Sequence, residues 1–246
     1  MKYRGLLISS VLAAVAAVVL LVGAALYAIL PYDLRGSANL EKVKKTVEPV
    51  LSADLQKIGA ELGDPIFVRI FKEPKELEIW IVADETYRLF KTYPICTFSG
   101  ALGPKLKEGD NQSPEGFYSV SASQLNPHST YHLSFNLGFP NRFDRAHGRT
   151  GSYLMVHGNC VSVGCYAMTD EAMEEIYLLA EAALNNGQLS FDVHAFPFRM
   201  TRDAMDANTD SRWIDFWENM KDGYDYFEKH GRPPGVGVRH GQYIFG

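Results

Sequence analysis

The sequence predicts a mostly-β domain with helices packed on it, an α+β fold, carried behind an N-terminal membrane-spanning helix. Three observations lead there. Residues 6–30 form one run without a charged residue; residues 66–156 hold short runs rich in Ile, Val, Phe, Tyr and Trp separated by charged or Gly/Pro-containing turns; and beyond residue 168 apolar residues twice recur at helical spacing. The 246 residues are 46% hydrophobic and 22% charged, which suits a globular chain and excludes a disordered tail or a collagen-like repeat. A net charge of -5 argues against a nucleic-acid binder held by a basic face. Three cysteines are too few for a disulfide scaffold, and the odd count leaves at least one thiol unpaired within the monomer.

The apolar run reads LLISSVLAAVAAVVLLVGAALYAIL. As a helix at about 1.5 Å per residue it spans roughly 38 Å, enough for a hydrocarbon core of about 30 Å. A cleaved export signal has a shorter apolar region and a small-x-small end. Here Leu26, Tyr27, Ile29 and Leu30 occupy that end, so the sequence reads as an uncleaved anchor. No cysteine lies near it, which argues against a lipidated lipoprotein. Lys2 and Arg4 precede the run, so the N-terminus is expected inside and the remainder outside the inner membrane.

Residues 31–38 read as a linker, and residues 39–63 carry apolar residues at helical spacing that should break near Pro49. Strands are expected over 66–71, 77–82 and 88–98 as an antiparallel meander, then over 117–120, 131–137, 153–156 and 189–198. Thr169 can cap a helix that ends at Asn186-Gly187, and Ser211 starts another that holds Trp213, Trp217 and Tyr224. The glycine-rich tail from Gly231 reads as irregular surface.

The densest group of reactive residue types is HGNCVSVGCYAM, from His157 to Met168. It follows the apolar YLMV and precedes the helix capped at Thr169, so Cys165 is expected just before a helix N-terminus. There the dipole and free N–H groups would lower the thiol pKa and cradle an oxyanion. His157, at a strand end, could serve as general base, with Gly158 and Gly164 allowing the chain to turn beside both side chains. On spacing alone three other readings stand: a Cys160–Cys165 disulfide, a zinc site lacking a fourth ligand, or a buried structural thiol at Cys165.

The string Ser162-x-Gly164-Cys165 with the upstream His157-Gly158 resembles the active-site signature of the L,D-transpeptidase (YkuD-type) family. Residues 141–170, with AHGRTG and HGNCVSVGCYAMTD, are most similar to its YafK-like branch, and GDNQSPEGFY at 109–118 is similar to a further family stretch. The resemblance, over roughly 65–201, implies a β-sandwich transpeptidase domain, Cys165 as nucleophile, His157 as base, and Gly158, Ser162 and Gly164 in support. It implies peptidoglycan stem peptides as substrate, cleaved or crosslinked at diaminopimelate, a wall-linked lipoprotein as a further partner, and no cofactor or metal. Many members carry an arginine two residues after the cysteine; this sequence has Ala167. Arg199 and Arg149 are the candidates to bind the substrate carboxylate instead, against an ordinary surface or ion-pair role for each; His147 and Tyr131 are further pocket candidates, with a structural role the stronger reading for both. The expected layout is an anchor over 1–30, a linker and helical segment over 31–64, the catalytic domain over 65–201, and a C-terminal helix with irregular tail over 202–246. The competing reading is a membrane-anchored wall-binding module without catalysis. A redox thiol protein using Cys160 and Cys165 is weaker, because C-x4-C is not the C-x-x-C spacing.

Overall fold

The computed structural model describes residues 38–246. The apolar run 6–30 lies outside them; among the described residues no helix is long and apolar enough to cross a membrane. The first helix, α1 (Leu40–Gln56), is capped by Asn39, whose side chain accepts from the Lys42 N–H. It does not break at Pro49, as the sequence suggested. The missing N–H costs one bond, while Leu51 and Leu55 beyond the proline are fully buried and hold the second half in place.

Strands β1 (Ile66–Phe71), β2 (Glu76–Ala83) and β3 (Thr86–Pro94) form the expected antiparallel meander. β5 (Gly116–Ser121) and β10 (Ser190–Phe196) complete this central sheet in the order β3-β2-β1-β10-β5, with β10 parallel to β1. Central β1 is buried at every position, which explains why its sequence IFVRIF shows no clean alternation. One face of the sheet, with Val68, Ile70, Ile79, Ile81, Val120 and Val193, shares a core with α1 and with α3 (Asp170–Asn185). Thr169 caps α3 as the sequence predicts, accepting from the Ala172 N–H. The opposite face, with Phe71, Phe117 and Phe196, packs on α5 (Ile214–His230) through Trp217, Met220 and Tyr224. The fold is thus α+β, with helices and strands taking similar shares of the described chain.

A second sheet positions the chemistry. Its strands β4 (Thr97–Phe98), β6 (Leu125–Asn126), β7 (Ser134–Asn136), β8 (Met155–His157) and β9 (Tyr166–Ala167) run in the order β4-β9-β8-β7-β6. Two short helices, α2 (Arg142–Ala146) and α4 (Arg202–Asp206), lie in connections. The tail is more regular than its glycines suggest: β11 (Val236–Arg239) and β12 (Gln242–Phe245) form a hairpin, anchored by Tyr243 and Phe245 against the α5 core. Glycine at the turn His240-Gly241 supplies the left-handed backbone that a tight hairpin requires.

Cys160 is disulfide-bonded, but to Cys96, 64 residues away, rather than to Cys165. The bond ties the chain just before β4 to the loop after β8. Closing a loop of that length constrains the unfolded chain, so Cys96→Ser with Cys160→Ser should cost about 2–4 kcal/mol. Thermal melting of the oxidised protein and the double variant checks this; equal melting temperatures would overturn it.

Candidate active site

β8 and β9 are parallel neighbours with His157 opposite Ala167, so Cys165, directly before β9, lies alongside Met155. Cys165 and His157 thereby come to one cleft of about 330 Å³, lined also by Tyr131, Ser134, Tyr153 and Met155. Their eight-residue separation is closed by a loop in which Asn159, Cys160 and Gly164 take left-handed backbone. A side chain at Gly158 would stand 2.6 Å from Asp170 Oδ1 and 2.9 Å from His132 Cβ, so only glycine fits between them. The carboxylate at the start of α3 fills that space and accepts from the Asn159 N–H at 2.7 Å.

The carbonyl of Cys165 is held by two hydroxyls. Ser162 Oγ donates to it at 2.7 Å and Ser113 Oγ at 2.9 Å, while Ser99 Oγ lies 2.8 Å from Ser162 Oγ. Ser162 and Ser113 thus fix the backbone at Cys165, with Ser99 behind Ser162. Sequence reasoning missed both; the only available signal was that Ser113 lies in the SPEG stretch. Among the described residues the Gly164 and Cys165 N–H groups donate to no backbone carbonyl of the turns and loops.

His157 is buried, and its Nδ1–H donates to the Gly158 carbonyl at 2.6 Å. That bond assigns the lone pair to Nε2, the nitrogen a general base needs. Tyr131 packs on the imidazole with ring centroids 4.8 Å apart. Burial pushes the His157 pKa down, opposed in part by the Gly158 bond, so the ring is neutral at physiological pH. Cys165 Sγ accepts from the Met155 N–H at 3.4 Å and lies 3.7 Å from the Tyr153 carbonyl.

The expected helix-terminus effect on Cys165 is absent, because α3 begins only at Asp170 and β9 intervenes. Burial instead pushes the Cys165 thiol up, with the Met155 N–H and the more distant Lys105 charge acting against it. The resting pair is a neutral thiol and a neutral imidazole.

Neither candidate arginine lines the cleft. Arg149 is buried, pairs with Asp144 at 2.8 Å and lies over the rings of Phe143 and Phe216. Arg199 pairs with Glu76 and with Glu78, the latter at 2.7 Å, on the central sheet and stacks on Phe71. Each is committed to carboxylates on its own element's neighbours. His147 likewise stacks on Phe143 at 4.1 Å, away from the cleft. Among the described residues, no Lys, Arg, Asp or Glu lines the Cys165 cleft.

Residues 72–185 match the L,D-transpeptidase catalytic domain family (YkuD). YafK of Escherichia coli (strain K12), provisionally named an L,D-transpeptidase, is 50% identical over 183 residues, which cover 74% of each chain. The chain belongs to the L,D-transpeptidase family. The YafK of Escherichia coli O157:H7 matches to the same extent. Among solved structures, the helical cell shape determining protein Pgp2 (K307A mutant) from Campylobacter jejuni gives a TM-score of 0.45 at 20% identity, over 72% of this chain and 66% of that one. Membership of the L,D-transpeptidase family supports a peptidoglycan-modifying activity.

The pH dependence of such an activity follows from the resting pair. With its pKa lowered, His157 keeps its lone pair at pH values where an exposed histidine, near 6.5, is half protonated. The acid limb of kcat/KM should therefore lie below about pH 6.5. A limb centred above that value would contradict the neutral-pair assignment.

Proposed function

We propose that this protein is a membrane-anchored, periplasmic cysteine acyl-transfer enzyme that acts on peptidoglycan stem peptides at diaminopimelate. The observation that carries the reading is the meeting of the free thiol of Cys165 with the Nε2 lone pair of His157 in one cleft. Cys165 Sγ attacks the carbonyl at the L-centre of diaminopimelate while His157 Nε2 takes the thiol proton. The Gly164 and Cys165 N–H groups hold the oxyanion. Collapse breaks the C–N bond, and His157 returns the proton to the leaving amine. The remaining thioester is resolved by an amine, giving a crosslink, or by water, giving a free carboxylate and the restored thiol. Where the leaving amine belongs to a wall-linked lipoprotein, hydrolysis releases that protein from the wall.

Mass spectrometry of purified peptidoglycan fragments incubated with the protein tests this reading. Crosslinked dimers, trimmed stems or released protein are expected with the native chain and not with Cys165→Ala. Fragment binding without any mass change would favour the wall-binding module. The anchor and compartment rest on residues 6–30 and on Lys2 and Arg4. Alkaline phosphatase fused after Gly36 should be active in cells; recovery of a mature chain beginning near the end of the apolar run would refute a retained anchor.

A further inference from the structure

A second cavity of about 330 Å³ opens at the β5 edge of the central sheet, beneath the β11–β12 hairpin, and shares no lining residue with the Cys165 cleft. Arg142 and Arg145 line one side, three residues apart on α2 and therefore on one face of that turn. Asp192 and His194 line the sheet side, two residues apart on β10 and therefore on one face of that strand.

The Asp192 carboxylate is met by a Ser119 side-chain hydrogen bond and by no opposite charge among the described residues. Among the described residues no ion pair includes Arg142, Arg145 or Asp192. Among the described residues the Arg145 guanidinium makes one hydrogen bond, to the Pro140 carbonyl, and meets no counter-ion. His194 is 1% exposed and its Nε2 has no partner. A buried polar atom without a partner costs about 1–3 kcal/mol, so its place in the lining of an open cavity points to a ligand group that completes it. Phe117 and Tyr243 give the same cavity an apolar part.

Opposite charges that face one cavity without meeting each other fit a ligand that carries both charges in the reverse order. We propose that this cavity binds an amino-acid centre, with its carboxylate on Arg142 and Arg145 and its ammonium on Asp192. Guanidinium groups suit the planar carboxylate, and the neutral His194 ring completes the polar contacts between the two ends. The site is separate from the acyl-transfer chemistry, and its existence does not rest on the proposed reaction. In a chain that does act on stem peptides, it would hold a peptide end or a free diaminopimelate centre while the cleft acts elsewhere on the wall.

Isothermal titration of the full-length protein carrying Cys165→Ala, with meso-diaminopimelate as the probe, decides the matter without reference to turnover. Saturable binding is expected. Arg142→Gln with Arg145→Gln should weaken it at least about tenfold, and so should doubly N-acetylated probe, which keeps both carboxylates but loses the ammonium groups. Asp192→Asn should weaken it comparably; the exposed arginines make their double variant the decisive one should Asp192→Asn melt early. Absence of saturable heat would overturn the proposal. So would binding that survives the arginine substitutions but disappears with Tyr131→Ala, since the probe would then sit in the Cys165 cleft.

Discussion

Cys165→Ala should lower kcat/KM on a peptidoglycan fragment by about 10⁴-fold or more, over 5 kcal/mol of transition-state stabilisation. Among the described residues that line the cleft Cys165 is the one thiol, and the methyl group that replaces it can form no thioester. The fold should survive. Sγ makes only two long contacts, with the Met155 N–H and the Tyr153 carbonyl, and its removal should cost about 1 kcal/mol or less. His157→Gln should cost about 10²–10⁴-fold, because Nε2 is lost as a proton acceptor while the thiol, held above its ordinary range by burial, stays protonated. Substrate binding, read by titration with the Cys165→Ala protein, should persist. A variant with the same turnover as the native chain would remove Cys165 from the mechanism altogether.

The second large effect lies in the core. Glu115 and Lys72 are both fully buried and form an ion pair at 2.9 Å. The same carboxylate accepts from the Gly103 N–H at 2.7 Å and from Trp217 Nε1 at 2.9 Å, joining β1, the 99–105 loop and α5. Burial pushes the Lys72 pKa down, and Glu115 is the chief influence that opposes it. Glu115→Ala would leave the ammonium unpaired and two further donors without an acceptor, at a cost of about 3–5 kcal/mol. For a domain of this size that corresponds to a fall of roughly 6–20 °C in Tm. Glu115→Leu combined with Lys72→Met should cost less than Glu115→Leu alone, because neither charge then remains buried. Should the double variant melt at or below the single one, the pair is not what holds this junction.

The candidate pair Cys165 and His157 was legible in the sequence because its signal is local. His157 at the end of an apolar strand, the glycines at 158 and 164 and the cysteine at 165 fall within nine consecutive residues, and the resemblance rests on the same string. Local patterning also placed the helix capped at Thr169 and the strands β1 and β2, whose periodicity and turn chemistry need no distant partner. The reading of Cys165 as a helix-terminus thiol failed for want of two residues: nothing local shows that Tyr166 and Ala167 form a strand, since they do so only by pairing with β4 and β8.

What the sequence by itself determined is the chemistry-bearing segment, the α+β class and the course of most elements, all properties of neighbouring residues. The tertiary structure alone decided which distant groups meet. It joined Cys160 to Cys96 rather than to Cys165, committed Arg199 to Glu76 and Glu78 and Arg149 to Asp144, and brought Ser99 and Ser113 to the loop that holds Cys165. An arginine or a serine has the same residue type whether it binds substrate, a carboxylate of the core or a loop carbonyl. Its role follows from the partner within about 3 Å, and that partner is set by how the sheets pack, not by position along the chain.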